Sequence, residues 1–136
     1  MRFVDTNILV YSVSPFPEDA KKCAVALALL QSRDLVLSVQ VLQEFYVQAT
    51  RATRPRRLAH DEAVSFIAAW LRFPVQENTV ALFRAALDAK ARFQISYWDA
   101  AILEAARAAG CRQVLSEDLN PSQDYGGLTV INPFAS

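Results

Sequence analysis

The sequence predicts an α/β fold: a mostly parallel central sheet of about five strands flanked by helices. Two observations carry this. Short runs of aliphatic residues alternate along the whole chain with longer, Ala/Leu-rich helical patterns, and such alternation buries a parallel sheet under helices on both faces. The chain is also 136 residues long and 53% hydrophobic, with only 3 glycines, which suits one compact domain spanning 1–136. No internal repeat, low-complexity tract or linker interrupts it.

Taken in order, Arg2-Phe3-Val4-Asp5 reads as the first strand. A short helix follows through Ile8, Leu9 and Tyr11, and Pro15 and Pro17 end it. Glu18 to Gln31 is helical, with Cys23, Leu27 and Leu30 on one face. Leu35-Val36-Leu37-Ser38 is a buried strand. From Val39 to about Ala52 a helix places Leu42, Phe45, Tyr46 and Ala49 at helical spacing. Asp61 to Leu71 forms another, its two leading acids suiting the positive end of the helix dipole. Phe73-Pro74-Val75-Gln76 is a third strand. Thr79 caps a helix to about Phe93, Ser96 caps one from Tyr97 to Ala109, and Gly110 supplies a left-handed stop. Gln113 to Ser116 and Leu128 to Ile131 are the last strands, separated by a polar loop with Asn120-Pro121 and Gly126-Gly127.

Composition excludes several classes. So apolar a chain is not disordered, and its longest apolar run, Cys23 to Leu30, is far short of the roughly 20 residues of a membrane span. The opening Met1–Asp5 puts a carboxylate where the apolar stretch of a signal peptide would begin. Cys23 and Cys111 are too few and too far apart for a disulfide framework or a CxxC metal knuckle. The expectation is a reduced, cytoplasmic protein. Fourteen Lys plus Arg balance fourteen Asp plus Glu, so no bulk basic charge marks a nucleic-acid binder. The cations are uneven, however. Arg51, Arg54, Arg56 and Arg57 fall close together, and arginine favours bidentate contact with phosphate or carboxylate. A solvated loop after a helix is the plainer reading of the same cluster.

Chemistry is expected at the carboxyl ends of the strands, where ligands collect in open parallel sheets. Asp5 closes the first strand and Asp118 lies just beyond the fourth. Asp99 falls in the first turn of the helix beginning at Tyr97, and Glu44 sits one and a half turns into the helix after the second strand. Each acid stands among apolar neighbours, with no lysine or histidine close in sequence. Crowded acids that lose hydration need a neutralising partner or raised pKa values, and a hard divalent cation, Mg²⁺ or Mn²⁺, suits an all-carboxylate set. Structural alternatives exist for three. Asp99 could close a capping box with Ser96, Asp118 could shape a turn, and Glu44 could face solvent. Asp5 has little evident structural need for its charge. His60, the only histidine, is read as part of a helix start. There is no GxxxxGK[ST] or GxGxxG loop to cradle a nucleotide. Asp5-Thr6-Asn7 lacks the Asp-x-Asp of an aspartyl-nucleophile phosphatase.

At these residues the chain resembles PIN-domain ribonucleases of the VapC toxin family, the toxins of type II VapBC toxin–antitoxin systems. Phe3-Val4-Asp5-Thr6-Asn7-Ile8-Leu9-Val10-Tyr11, Gln43-Glu44-Phe45, Tyr97-Trp98-Asp99-Ala100-Ala101-Ile102, Leu115-Ser116-Glu117-Asp118-Leu119 and the closing Leu128–Phe134 segment match that family's motifs in order. The resemblance implies a PIN-like three-layer fold and a Mg²⁺- or Mn²⁺-dependent endoribonuclease that leaves a 5′-phosphate and a 3′-hydroxyl. Asp5, Glu44, Asp99 and Asp118 would be the acidic quartet. Asp5 and Asp99 lead as direct metal ligands, Asp118 ligates directly or through water, and Glu44 acts more often through water. Asn7 and Ser116 would support the quartet, Asp99 or Glu44 would take a proton from the attacking water, and Arg51, Arg54, Arg56 and Arg57 are candidate RNA contacts. Structured RNA with an unstacked loop is the implied substrate. Implied partners are a VapB-type antitoxin, a second copy of the chain, and DNA only through the antitoxin. The helices between Val39 and Leu71 would offer the antitoxin a groove, with Tyr46 or Trp70 as surface anchors. Two other readings stand beside this one: a PIN nuclease of RNA processing, and a non-catalytic RNA- or protein-binding module.

Overall fold

The structure is a computed structural model and describes residues 1–135. Its strands are β1 (Arg2–Val4), β2 (Leu35–Ser38), β3 (Val75–Gln76), β4 (Gln113–Leu115) and β5 (Thr129–Ile131). Its helices are α1 (Thr6–Ser12), α2 (Ala20–Leu29), α3 (Val39–Thr50), α4 (His60–Trp70), α5 (Val80–Phe93) and α6 (Tyr97–Ala108). The five strands form one sheet in the order β3-β2-β1-β4-β5, and every pairing is parallel. The six helices flank it. All four residues of β2 are buried, as expected of a strand covered on both faces. Phe3 and Val4 of β1, Leu35 and Leu37 of β2 and Val114 of β4 are fully buried in the core. α5 meets α6 through a separate patch of small side chains, Ala86, Ala89, Ala100 and Ala101, which lets the two backbones approach closely.

Chain order sets where a ligand can sit. From β1 the chain steps outward to β2 and β3, then crosses back to place β4 and β5 on the other side of β1. The reversal falls between β1 and β4, so the crevice at their carboxyl ends is the expected site. The register brings Val4 opposite Leu115, and the Asp5 N–H continues the ladder to the Leu115 carbonyl at 3.0 Å. Asp5 and Ser116 therefore leave the sheet side by side.

Several elements differ from the sequence expectation. The helix expected from Glu18 begins at Ala20, because Pro17 first heads a 3₁₀ turn over Pro17–Asp19. β3 keeps only Val75–Gln76, since Pro74 has no N–H to give the ladder. α4 starts at His60, its first turn closed by Glu62, whose Oε1 accepts from the Ala59 N–H at 2.9 Å. Gly110 does adopt the left-handed conformation, at φ +78°. Trp70 is not a surface anchor. It is 5% exposed, packed edge-to-face on Phe45 with ring centroids 4.6 Å apart. The exposed apolar residues of that face are Val47, Val64, Phe66 and Leu71. Among the described residues no helix is long and apolar enough to cross a membrane.

Candidate active site

Asp5 is the best-fixed acid of the site. It follows β1 immediately and caps α1, its Oδ1 accepting the Thr6 N–H at 2.7 Å. Its Oδ2 accepts the Ser116 hydroxyl at 2.6 Å. Asp5 therefore also does structural work as a helix cap, against the expectation that its charge has little structural need. Only 7% of the residue is exposed. Burial pushes its carboxyl up from 3.8 to about 6, against the pull of Ser116 and Thr6, and the nearby charges of Glu44 and Asp118 push the same way.

Ser116 gathers the loop after β4. Its Oγ accepts from the backbone N–H groups of Asp118 and Leu119 at 3.1 and 3.3 Å, and from Asn7 Nδ2 at 3.4 Å. Asn7 also donates to Asp118 Oδ2 at 3.2 Å, and its Oδ1 accepts the Glu117 N–H at 3.3 Å. Asp118 is thus held toward the cavity by α1. Glu117 turns the other way, to Lys22 and to the Tyr11 hydroxyl at 2.7 Å. Burial alone would raise Glu117, but bonds from Lys22 and Tyr11 together hold it below the usual carboxylate range.

Glu44 is half-buried on α3 and does not face open solvent. Gln40, one turn earlier, donates Nε2 to Glu44 Oε1 at 2.7 Å and to the Trp98 carbonyl at 3.2 Å. The Thr6 hydroxyl reaches Glu44 Oε2 at 3.4 Å. Asp99 lies in the first turn of α6. The cap there is the serine's: Ser96 Oγ accepts the Asp99 N–H at 3.0 Å, while the Asp99 side chain lines the cavity. Its pKa is raised, first by burial and further by Asp118, with Ser96 opposing.

Asp5, Thr6, Asn7, Glu44, Asp99 and Asp118 line one cavity of about 80 Å³. Among the described residues no three His, Cys, Asp or Glu side chains stand close enough to grip one ion by themselves. A hard cation that keeps several of its own waters asks for less than that, since Mg²⁺ is commonly held by one or two carboxylates. A carboxylate-rich wall in which Glu44 and Asp118 help raise Asp5, and Asp118 helps raise Asp99, fits such an ion. Sequence reasoning named the four acids, Asn7 and Ser116. It passed over Thr6, Gln40 and Trp98, whose roles depend on contacts across the fold. The arginines divide. Arg51 borders a neighbouring cavity with Glu44 and Trp98. Arg54 borders another with Asn7, Glu117 and Asp118, its guanidinium 5.5 Å from the Phe16 ring. Arg56 donates to the Pro15 carbonyl at 3.4 Å, and Arg57 is exposed on the loop. His60 pairs with the Tyr46 hydroxyl at 2.9 Å and does not line the acidic cavity.

Sheet order and acids together put the chain among parallel α/β proteins that gather carboxylates at their strand ends. More narrowly, it belongs to the PIN domain family, whose model matches residues 2–123. The chain is similar in fold to Mycobacterium tuberculosis VapC20, a sarcin-ricin loop cleaving toxin: TM-score 0.67, 22% identity, covering 87% of this chain and 92% of that one. A toxin–antitoxin complex from Klebsiella pneumoniae matches with TM-score 0.71 and 17% identity over 98% of both chains. DNA-bound VapBC from Salmonella typhimurium matches with TM-score 0.68 and 16% identity over 97% of both. No curated protein matches the sequence.

Proposed function

We propose that the chain, as one PIN domain over 1–136, is a metal-dependent endoribonuclease and the toxin of a VapBC-type pair. The observation that carries this reading is the convergence of Asp5, Glu44, Asp99 and Asp118 from four separate segments on one small cavity. Asp5 and Asp99 are the proposed direct ligands of Mg²⁺ or Mn²⁺, Asp118 ligates directly or through water, and Glu44 acts through water. When bound, the ion offsets charge developing on the phosphoryl oxygens and lowers the pKa of a water. The protein's own residues do the positioning. Ser116 and the Thr6 N–H fix both oxygens of Asp5, Asn7 aims Asp118, and Gln40 with Thr6 fixes Glu44. Asp99 and Glu44 are the two candidate bases for the proton of the attacking water. Water attack leaves a 5′-phosphate and a 3′-hydroxyl.

Partner surfaces support the toxin reading. A groove of about 440 Å³ between α3 and α4, lined by Val39, Leu42, Tyr46, Val47 and Ile67, suits an amphipathic segment of a VapB-type antitoxin. DNA contact would come through that antitoxin, as the DNA-bound VapBC assemblies suggest by likeness. Val80, Phe83 and Leu87 stand exposed at helical spacing on α5, a face suited to a second copy of the chain. Free Cys23 and Cys111 accord with a reducing cytoplasm.

The test is cleavage of total RNA by purified protein. Activity with Mg²⁺ or Mn²⁺, abolished by chelator and by Asp5→Asn or Asp99→Asn, is expected. Full activity in excess EDTA refutes the mechanism. Growth arrest on expression, relieved by a co-purifying product of an adjacent small gene, separates a toxin from an RNA-processing nuclease.

A further inference from the structure

A second cavity, of about 420 Å³, adjoins the acidic one and shares Glu44, Gln48 and Trp98 with it. Its remaining wall is Gln40, Gln43, Val47 and Arg51. The volume lies within the range of small-ligand sites, roughly 300–1,000 Å³. Trp98 is the unusual member. It is 66% exposed, although it directly precedes Asp99 and its carbonyl is tied down by Gln40. Its ring is braced from one side: Tyr97 meets it edge-on at 5.0 Å, and Phe83 in turn meets Tyr97 at 5.9 Å. An exposed indole held this way is a preformed flat platform, and the fold gains little from leaving it in water.

The rest of the lining has matching chemistry. The three ion pairs among the described residues use Arg2, Lys22 and Arg107, so the Arg51 charge is not spent on a carboxylate. Gln43 and Gln48 bring amides that both donate and accept, as base edges require. An aromatic face, a cation and amides beside a phosphodiester-cleaving centre are the parts of a single-strand binding site.

Resting on the ribonuclease reading above, we propose that this cavity is a stacking subsite for one unpaired nucleobase flanking the scissile phosphate. Trp98 takes the base face, Arg51 the adjoining phosphate, and Gln43 or Gln48 the base edge. Such a subsite selects single-stranded or looped RNA, because a base held in a duplex stack cannot reach the indole.

Intrinsic fluorescence reads this directly, since the chain has 2 tryptophans and Trp70 is buried. Asp5→Asn protein is titrated with a short single-stranded RNA oligonucleotide and with the same sequence as a duplex, while polarisation of a labelled strand reports binding independently. Quenching by the single strand and not by the duplex is expected. Adding Trp98→Leu should abolish the quenching and weaken binding about tenfold. In the active chain, Trp98→Leu should raise KM about as much while kcat changes less. Binding without quenching, or unchanged affinity in Trp98→Leu, overturns the proposal. It is equally overturned if Trp98→Leu releases a second copy of the chain or a bound antitoxin while RNA affinity stays intact, for the cavity is then a protein-docking face. Cleavage that persists unaffected by Trp98→Leu defeats the subsite alone. Quenching by a chain that never cleaves defeats the ribonuclease reading alone.

Discussion

The Ser116 hydroxyl donates to Asp5 Oδ2 at 2.6 Å while accepting the N–H groups of Asp118 and Leu119 at 3.1 and 3.3 Å. One fully buried oxygen thus joins the carboxyl ends of two adjacent parallel strands. It fixes the most buried acid and shapes the loop that carries another.

Ser116→Ala should therefore cost both stability and activity. It leaves buried donors without an acceptor, which typically costs about 1–3 kcal/mol, and frees Asp5 and Asp118 to move. Urea denaturation should show that loss, and RNA cleavage should fall at least about tenfold. Wild-type stability in the alanine variant would mean that water replaces the hydroxyl.

Metal-free stability should depend on pH through Asp5. Its folded pKa, about 6, lies above the ordinary 3.8. A raised acid contributes stability that is full below its unfolded pKa and lost as pH rises through the folded one. In chelator, the wild type should lose on the order of 2–3 kcal/mol from this group between about pH 4 and pH 7. Asp99, raised in the same direction, adds to the trend. Asp5→Asn keeps an oxygen for the Thr6 cap and removes the titration. Its unfolding free energy should change less with pH, and it should be at least as stable as wild type near pH 8. A variant that follows the wild-type curve would show that Asp5 is not the titrating group.

Divalent metal should reverse this penalty. An ion that binds only the folded chain raises its melting temperature, by an amount that grows with the logarithm of ligand excess. Thermal melts with and without Mg²⁺ should show the shift in wild type and lose it in Asp5→Asn and Asp99→Asn. Asp99→Asn should fold normally, because the α6 cap is made by Ser96.

The acids were legible because charge is conspicuous in an apolar setting. Asp5 stands between Val4 and Ile8, and Asp99 precedes Ala100-Ala101-Ile102. The sheet was legible because each strand is a compact aliphatic run. What escaped was whatever depends on a distant partner. Gln40 looks like any polar residue in a helix's first turn until α6 brings the Trp98 carbonyl to it. Trp70 occupies a plausible outer position on α4, and only its packing against Phe45 of α3 buries it. Glu117 and Asp118 are adjacent acids. The family motif singles out Asp118, but the physical reason lies far away in sequence: Lys22 on α2 draws Glu117 aside and Asn7 on α1 aims Asp118.

Gln40 offers a test of positioning: it lines the proposed base cavity, but its amide is engaged by Glu44 and the Trp98 carbonyl. Gln40→Leu keeps much of the side-chain volume but removes both donors, so Glu44 loses its shortest hydrogen bond. Cleavage should fall about tenfold in kcat with KM little changed, at a stability cost of about 1 kcal/mol. A KM effect of the same size would instead place Gln40 against RNA.

The arginine loop should prove unequal in its parts. Arg51 and Arg54 border the cavities beside the acids, whereas Arg56 bonds to the Pro15 carbonyl from a left-handed backbone at φ +54°. Each phosphate contact on single-stranded nucleic acid contributes about 0.7 to the slope of log affinity against log salt. Replacing Arg51 and Arg54 together by Gln should lower that slope by roughly 1.4. Arg56→Gly should leave the slope within error, because its guanidinium is occupied by the loop. Its stability should stay close to wild type, since relief of the left-handed strain, about 1–2 kcal/mol, is offset by glycine's added chain entropy and the lost hydrogen bond. Equal slopes in the two variants would make the whole cluster a diffuse charge and remove the distinction between the two sides of the loop.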